Sequence, residues 1–340
     1  MSVPIYRPFI RRKQMDSVLS SLVDDKVFPG EAQKNLVKDL AVLTGKVGGS
    51  SFMEAVRAIQ VYFDFHQIEA EQKILLSPLV GQAFVYAAEQ KGINVDFLDV
   101  YENTPVLDCR ELSVNWDSYA LLVANTSLGF FPDLEALADI PIPVLLDISD
   151  GLGMAELNEN LVVFKGDLFI SLGYNPFIES GAGAVILFSS KRQTKAFAEH
   201  CAALPVNMHL SDLNASLGVE ILKEKDLIVE RQKEIFEHLA HKLRRGGHSI
   251  PTGIDDKNLS HGFFPVVLDS GAADVLSYCS KNGVTCRLAY ENSALAFAPD
   301  REDAVAKAKG FLLRCVVFPL YPGMSKASLD ILAKVISTLP

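Results

Sequence analysis

Lysine is missing from one long stretch of this chain: there is none between Gly166 and Ser190. Chemistry that needs a side-chain amine is therefore excluded from that segment. Cysteine is also sparse. Cys109, Cys201, Cys279, Cys286 and Cys315 are odd in number, scattered and without a Cys-x-x-Cys pair. That pattern excludes a disulfide framework and reads as reduced thiols in a cytoplasmic protein, each a small buried apolar residue. Positive charge is in deficit, with 32 Lys and Arg against 42 Asp and Glu and a net charge of −10. The balance argues against nucleic acid and anionic membrane as partners, although a local basic pocket stays open. No apolar run approaches the ~20 residues of a membrane span. The opening MSVPIYRPFIRRKQ carries no apolar h-region or small-residue cleavage site, so no signal peptide is expected.

What is present is globular: hydrophobic residues make up 49% of the 340 and charged residues 22%, a size that suggests about two domains. Apolar runs alternate with helix-like stretches over the first two thirds. They are ILLSPLV (74–80), VDFLDV (95–100), YALLVANTS (119–127), PVLLDIS (143–149), LVVFKG (161–166), LFISL (168–172) and AVILFS (184–189). Near-continuous apolar runs suit strands buried on both faces, hence a large mixed, mostly parallel sheet between helices. Ligands of such sheets sit beyond the carboxyl ends of the strands, where Asp147 and the residues after Leu172 fall. The periodicity predicts one long helix from about Leu213 to Arg245, stopping at Gly246-Gly247. Beyond it, FFPVVL (263–268), a helix near 271–281, VTCRLAY (284–290), a helix near 302–313, RCVVFPL (314–320) and a terminal helix from about Ser325 read as a small α+β unit. The division expected is 1–230 for the large α/β domain and 231–340 for the small one.

Five segments in order resemble the DegT/DnrJ/EryC1/StrS sugar aminotransferases, a family of fold-type I transferases that use pyridoxal phosphate. They are VPIYRPFI (3–10), PVLLDISDGLG (143–153), ISLGYNPFIESGAGAVIL (170–187), the asparagine loop and helix of 205–239, and FPLYPGMS (318–325). The resemblance implies a fold-type I architecture, a homodimer, and work on nucleotide sugars in polysaccharide biosynthesis. It places the acid that pairs with the cofactor's ring nitrogen on Asp147, which read by itself is equally a strand-end residue capping the next turn. Ser171 and Asn207 match family positions around the cofactor, Asn207 as a residue reaching the neighbouring subunit. Asp150 stands where the family has His or Gln.

The family's Schiff-base lysine falls on Pro176, which has neither an amine nor an N–H. The nearest lysines, Lys165 and Lys191, are poor substitutes. The phosphate-holding turn falls on Ser51-Phe52-Met53, which lacks the family's glycine and hydroxyl. Upstream, Gly48-Gly49-Ser50-Ser51 reads as a flexible loop or an anion nest. The ring-stacking position falls on Gln82, with Phe84 an alternative. Asp147, Asp150, Ser171, Asn207 and Ser51 are therefore the vestigial cofactor-binding set, with no catalytic residue and no covalent cofactor. The implied function is a pseudoenzyme that binds a nucleotide-sugar-like ligand or a protein partner. The alternative is a sugar aminotransferase or dehydratase-type enzyme using pyridoxal or pyridoxamine phosphate. His238 and His241, at i, i+3, read as solvated helix residues, His66 as a packed, satisfied histidine, and Ser180 as no nucleophile elbow because its first glycine is missing. No metal site is expected.

Overall fold

The computed structural model describes residues 2–110, 114–157, 159–173, 175–243, 248–254, 259–269 and 271–340, without the side chains of 155–157 and 301–303. Two helices open the chain, α1 (Arg12–Val23) and α2 (Glu31–Leu43), followed by β1 (Gly48–Phe52) and α3 (Ala55–Phe65). Then come β2 (Lys73–Leu76), α4 (Ala83–Gln90), β3 (Asn94–Phe97), β4 (Leu121–Asn125), α5 (Leu134–Ala138) and β5 (Val144–Asp147). The next group is α6 (Glu159–Val163), β6 (Asp167–Ser171), β7 (Ala184–Phe188), α7 (Lys191–Cys201), α8 (Asp212–Leu222) and α9 (Lys225–Leu243). The remaining elements are β8 (Phe264–Val267), α10 (Ala273–Lys281), β9 (Arg287–Leu288), α11 (Ala294–Phe297), α12 (Ala306–Arg314), β10 (Cys315–Phe318) and α13 (Lys326–Ile336).

β1 to β7 form one sheet in the order β1-β7-β6-β5-β4-β2-β3. Strands β2 to β6 run parallel, and β7 is antiparallel to both β6 and β1. Every residue of β4 and of β7 is buried, as a sheet covered on both faces requires. One core packs on each face: Leu122, Leu146 and Leu168 point into one, and Val123, Leu145 and Phe169 into the other. The second sheet is small and antiparallel, in the order β8-β10-β9. This is the large mixed α/β architecture expected from the apolar runs.

The parallel strands share one carboxyl edge. Asn125 ends β4 directly beside Asp147, which ends β5, and Ser171 ends β6. The order reverses between β2 and β4, the kind of point at which open α/β sheets leave a crevice.

Several local readings change. LVVFKG is not a strand: residues 159–163 form α6, with Val162 and Val163 exposed and only Leu161 buried, so no neighbour covers a second face. The Gly48–Ser51 run is neither a flexible loop nor an anion nest. It is edge strand β1, and a Cβ on Gly49 would lie 1.7 Å from the Ile186 carbonyl oxygen, so the glycine permits close strand approach. The long helix is two helices. Ile221 and Ile228 serve the large-sheet core, whereas Ile235, Phe236 and Leu239 serve the small-sheet core, and the chain breaks at Lys223–Glu224 between α8 and α9. The predicted stop at 244–247 lies outside the described residues. VTCRLAY contributes only the two-residue β9. The Gly181-Ala182-Gly183 segment turns the chain into β7, both glycines having positive φ.

Candidate functional site

A cavity of about 470 Å³ opens at the carboxyl edge of the large sheet. Each central strand delivers polar residues to it: Gln82 after β2, Asn125 at the end of β4, Asp147 and Asp150 from β5, and Ser171 and Asn175 from β6. The small sheet's side supplies Arg287, Tyr290, Asn292 and Ser293. The rim is stitched by backbone bonds: Gln82 N–H donates to the Asn292 carbonyl (2.9 Å) and Ala294 N–H to that of Val80 (2.7 Å).

Asp147 accepts from the Ser149 amide (2.9 Å) and hydroxyl (2.5 Å). Burial nevertheless pushes its carboxyl up to about 6. Asp150 accepts from Leu128 N–H (2.9 Å). Burial first, then the charge of Asp147, pushes it up to about 7, against a smaller lowering from Arg287. Leu128 sits at φ 52, backbone that costs a branched residue energy, and its neighbour Ser127 exchanges a 2.8 Å hydrogen bond with Tyr290. Arg287 pairs with Glu291 at 3.3 Å and remains partly exposed.

The segment that should bear a lysine is built around Asn175. Its amide nitrogen donates to the carbonyls of Ser149 (2.8 Å) and Ser171 (3.0 Å), and its oxygen accepts from the amides of Phe177 (2.9 Å) and Ile178 (3.0 Å). This fully engaged side chain clamps the turn. Pro176 faces away, into a neighbouring cavity of about 410 Å³ shared with Ile5, Tyr6 and Phe263, while its carbonyl accepts from Gln232 (2.6 Å). Among the described residues no lysine lines the 470 Å³ cavity, and Lys165 and Lys191 are exposed elsewhere.

Of the residues singled out from sequence, the structure gathers Asp147, Asp150 and Ser171, together with Gln82. Phe84 is instead a core residue against Phe169. Ser51 does not reach the cavity: it is buried beside β7, and its hydroxyl accepts from Gln33 (2.8 Å). Asn207 lies exposed in a short 3-10 turn and lines no part of the cavity. His66 is packed against Tyr62, but its Nε2 makes no hydrogen bond and stands 3.5 Å from Asp167, so it is packed without being satisfied. Ser180 bonds its own turn at Ala182, and no metal-holding cluster is found among the described residues. Cys201, Cys279 and Cys315 are buried thiols, as read, whereas Cys109 and Cys286 are half-buried. Sequence reasoning missed Asn125, Asn175, Arg287 and Tyr290. Asn125 had a signal, since it ends an apolar strand just as Asp147 does. Arg287 and Tyr290 had none, because they arrive from the far end of the chain.

The residues can be tested against pyridoxal phosphate, which the resemblance implies. Asp147 fits a ring nitrogen, since a carboxylate there keeps it protonated. Covalent attachment does not fit, for want of a lysine. The turn before α3 has also changed: Phe52 is wholly buried against Phe197 and His209, Met53 N–H is spent on the Met208 carbonyl (2.9 Å), and the residue leading α3 is the exposed anion Glu54. The site thus suits such a ring at its nitrogen and does not suit a bond to it.

Residues 178–338 match the model of the DegT/DnrJ/EryC1/StrS aminotransferase family. A curated relative, UDP-4-amino-4,6-dideoxy-N-acetyl-beta-L-altrosamine transaminase of Campylobacter jejuni, is 22% identical over 283 residues, 76% of this chain and 74% of that one. Among solved structures, the aminotransferase TlmJ from Streptoalloteichus hindustanus superposes with a TM-score of 0.87 at 16% identity, covering 99% of this chain and 98% of that one. Helicobacter pylori PseC, an aminotransferase involved in pseudaminic acid biosynthesis by its description, gives 0.85 at 14%, over 99% and 98%. The E. coli GDP-4-keto-6-deoxy-D-mannose-3-dehydratase with bound hydrated PLP gives 0.81 at 13%, over 99% and 99%. The fold is that of the fold-type I transferases, and the similarity to the DegT/DnrJ/EryC1/StrS aminotransferase family model runs through residues 178–338.

Proposed function

We propose that this protein is an enzyme of nucleotide-sugar biosynthesis that takes its sugar into the 470 Å³ cavity and uses a pyridoxamine-type cofactor held without a covalent bond. The relatives support the enzyme reading over the pseudoenzyme expected from the missing lysine, since the matched proteins are described as transaminases, aminotransferases and a dehydratase. One observation carries the non-covalent part: Asp147 is kept at the end of β5 in a cavity where no lysine stands among the described lining residues. Bound there, the cofactor would supply an electron sink, and Asp147 would hold its ring nitrogen protonated. Asn207, exposed on its loop, is proposed to face a second copy in a homodimer.

The pseudoenzyme reading keeps one specific support. Glu54 places a carboxylate at the head of α3, where the family holds a phosphate, so anionic cofactor binding is opposed there. A spectral titration of the full chain with pyridoxamine phosphate and with pyridoxal phosphate, followed by borohydride treatment, decides between them. The enzyme reading expects saturable binding, no adduct on the protein, and turnover of a UDP-linked 4-keto sugar when the amine form is supplied. Ligand binding without turnover would establish the pseudoenzyme. A borohydride-fixed adduct would overturn the non-covalent reading.

A further inference from the structure

Cys279 and Cys286 come together where α10 turns back toward the small sheet. Cys279 lies in the last turn of α10 and is wholly buried in the small-sheet core. The helix stops at Gly283, which has φ 75, and the Val284 amide donates back to the Cys279 carbonyl (2.9 Å). This left-handed cap folds the chain over the end of its own helix. The residues after it run extended, so alternate side chains share a face. Val284, Cys286 and Leu288 pack on the same core as Cys279, while Thr285 and Arg287 are exposed. The two thiols pair through a side-chain hydrogen bond. Cys286 is half-buried and open to small solutes, with Cys279 behind it. The other three thiols are not paired in this way: burial alone raises Cys315, Cys201 bonds Ser50, and Cys109 faces Asp133 and Asp108. The segment that carries Cys286 is lightly held. β9 pairs with β10 through two positions, Arg287 opposite Val317 and Leu288 opposite Val316, and Val3 bridges to Val284 on its approach. Arg287, the next residue after Cys286, lines both the 470 Å³ and the 410 Å³ cavities.

We propose that Cys279 and Cys286 form a redox modification site, in which hydrogen peroxide joins the two thiols as a disulfide that ties β9, and Arg287 with it, to the end of α10. The inference is independent of the function proposed above. Cys286 is the attacking thiol. Its hydrogen bond from Cys279 favours the thiolate and holds it below the ordinary thiol range, against the opposing pull of burial. Donating that bond, and burial, hold the Cys279 thiol above the range. The Cys286 thiolate attacks one peroxide oxygen and the O–O bond breaks. The hydroxide that leaves takes up the proton Cys286 released, giving water and a sulfenic acid. The Cys279 sulfur then attacks the Cys286 sulfur, the S–O bond breaks, and the Cys279 proton leaves with the hydroxide as a second water. Two thiols lose two electrons, and one peroxide becomes two waters. A dithiol reductant reverses the bond by thiol exchange. Because the second thiol already stands beside the first, closure needs no long search by the chain, and the sulfenic acid is consumed before further oxidation.

The test treats the reduced full chain with hydrogen peroxide, alkylates the remaining thiols and digests with trypsin. Free thiols should fall from five to three, and dithiothreitol should restore all five. Lys281 lies between the two cysteines, so trypsin should release two peptides joined by the disulfide. Amide hydrogen exchange across residues 284–288 should slow by about fivefold or more in the oxidised chain, because opening this edge then has to work against the new link. Cys279→Ser should stop the reaction at a sulfenic acid on Cys286, which dimedone traps. Cys286→Ser, at the less buried position, should give no linked peptide and serves if Cys279→Ser does not fold. Five thiols surviving the peroxide, a link through Cys109, Cys201 or Cys315, or oxidation of Cys286 without a link to Cys279 would overturn the site. A linked pair with unchanged exchange at 284–288 would overturn the tie on β9.

Discussion

Two acids on neighbouring strands, Asp147 at the end of β5 and Asp167 at the start of β6, sit at opposite edges of the same sheet and have opposite surroundings. Asp167 is surrounded by groups from elsewhere in the chain. Tyr62 donates to it at 2.9 Å and His66 Nε2 stands at 3.5 Å. Lys46, whose ammonium donates to the Phe164 carbonyl and to Ser189, brings it positive charge. Asp147 has only Ser149 on its own turn, a second acid beside it, and an open cavity in front. An acid whose partners are all supplied by its own chain holds the fold together. An acid left with spare acceptors in a cavity is held ready for something else.

The largest effect should come from breaking the satisfied acid. Asp167→Ala strands the Tyr62 hydroxyl and leaves the buried Lys46 ammonium without its counter-charge, so urea unfolding should show a loss of about 3–5 kcal/mol. A loss under about 1 kcal/mol would mean that water, not Asp167, satisfies these groups. Lys46 adds a pH signature. Burial lowers its folded pKa to about 8 against 10.5 for the free side chain, so the unfolded chain binds more protons between those values. Stability contributed by this group therefore rises from about pH 8 to 10.5 and is lost as pH falls through about 8.

The unsatisfied pair should behave in the opposite sense. Asp147 and Asp150 have folded pKa values raised to about 6 and about 7 from 3.8, so the folded state binds the extra protons. Their contribution is fully present below 3.8 and is lost as pH rises through about 7. Asp150→Asn keeps an acceptor for Leu128 N–H and removes the repulsion, so at about pH 8 the variant should gain about 1–2 kcal/mol in thermal or urea unfolding. Its stability should also fall less between pH 3.8 and about 7 than that of the parent. Destabilisation on this substitution, alongside that of Asp167→Ala, would erase the difference between the two acids.

This contrast was half legible in the sequence. Asp147 announces itself as a charge closing an apolar strand, and Pro176 announces the missing amine, because both are local departures from a pattern. Asp167 carries the same local signature, an acid beside an apolar run, yet its meaning depends on Tyr62, His66 and Lys46, which lie more than a hundred residues away in the chain. Arg287 was missed for the same reason: what matters is the cavity it shares with Asp147, and tertiary packing alone creates it. Periodicity found β2 to β10 but missed the glycine-rich edge strand β1, and it joined α8 to α9, since a hydrophobic stripe does not record that its two halves serve different cores. It also read α6 as a strand, where five residues are too few for period to separate the two states.

The smallest effect should be the repair of the most conspicuous loss. Pro176→Lys restores an amine at the position that the family uses, yet it should restore no amino transfer. The residue faces the neighbouring cavity, its carbonyl is bonded to Gln232, and its ring packs where a Cβ on Gly262 would lie 2.8 Å away. Asn175 would still clamp the turn, Asp150 would still put an acid where the resemblance places His or Gln, and Glu54 would still stand at the head of α3. Losses of reactive group and of anchoring do not simply add, so mending one leaves the other in control. Reductive trapping with pyridoxal phosphate and an amino-transfer assay, run on the parent and on Pro176→Lys, should give no adduct on the parent and no transfer by either. Transfer by the single variant would mean that Asp147, Ser171 and the α3 turn already form a working cofactor site, and that the amine alone separates this chain from a lysine-bearing one.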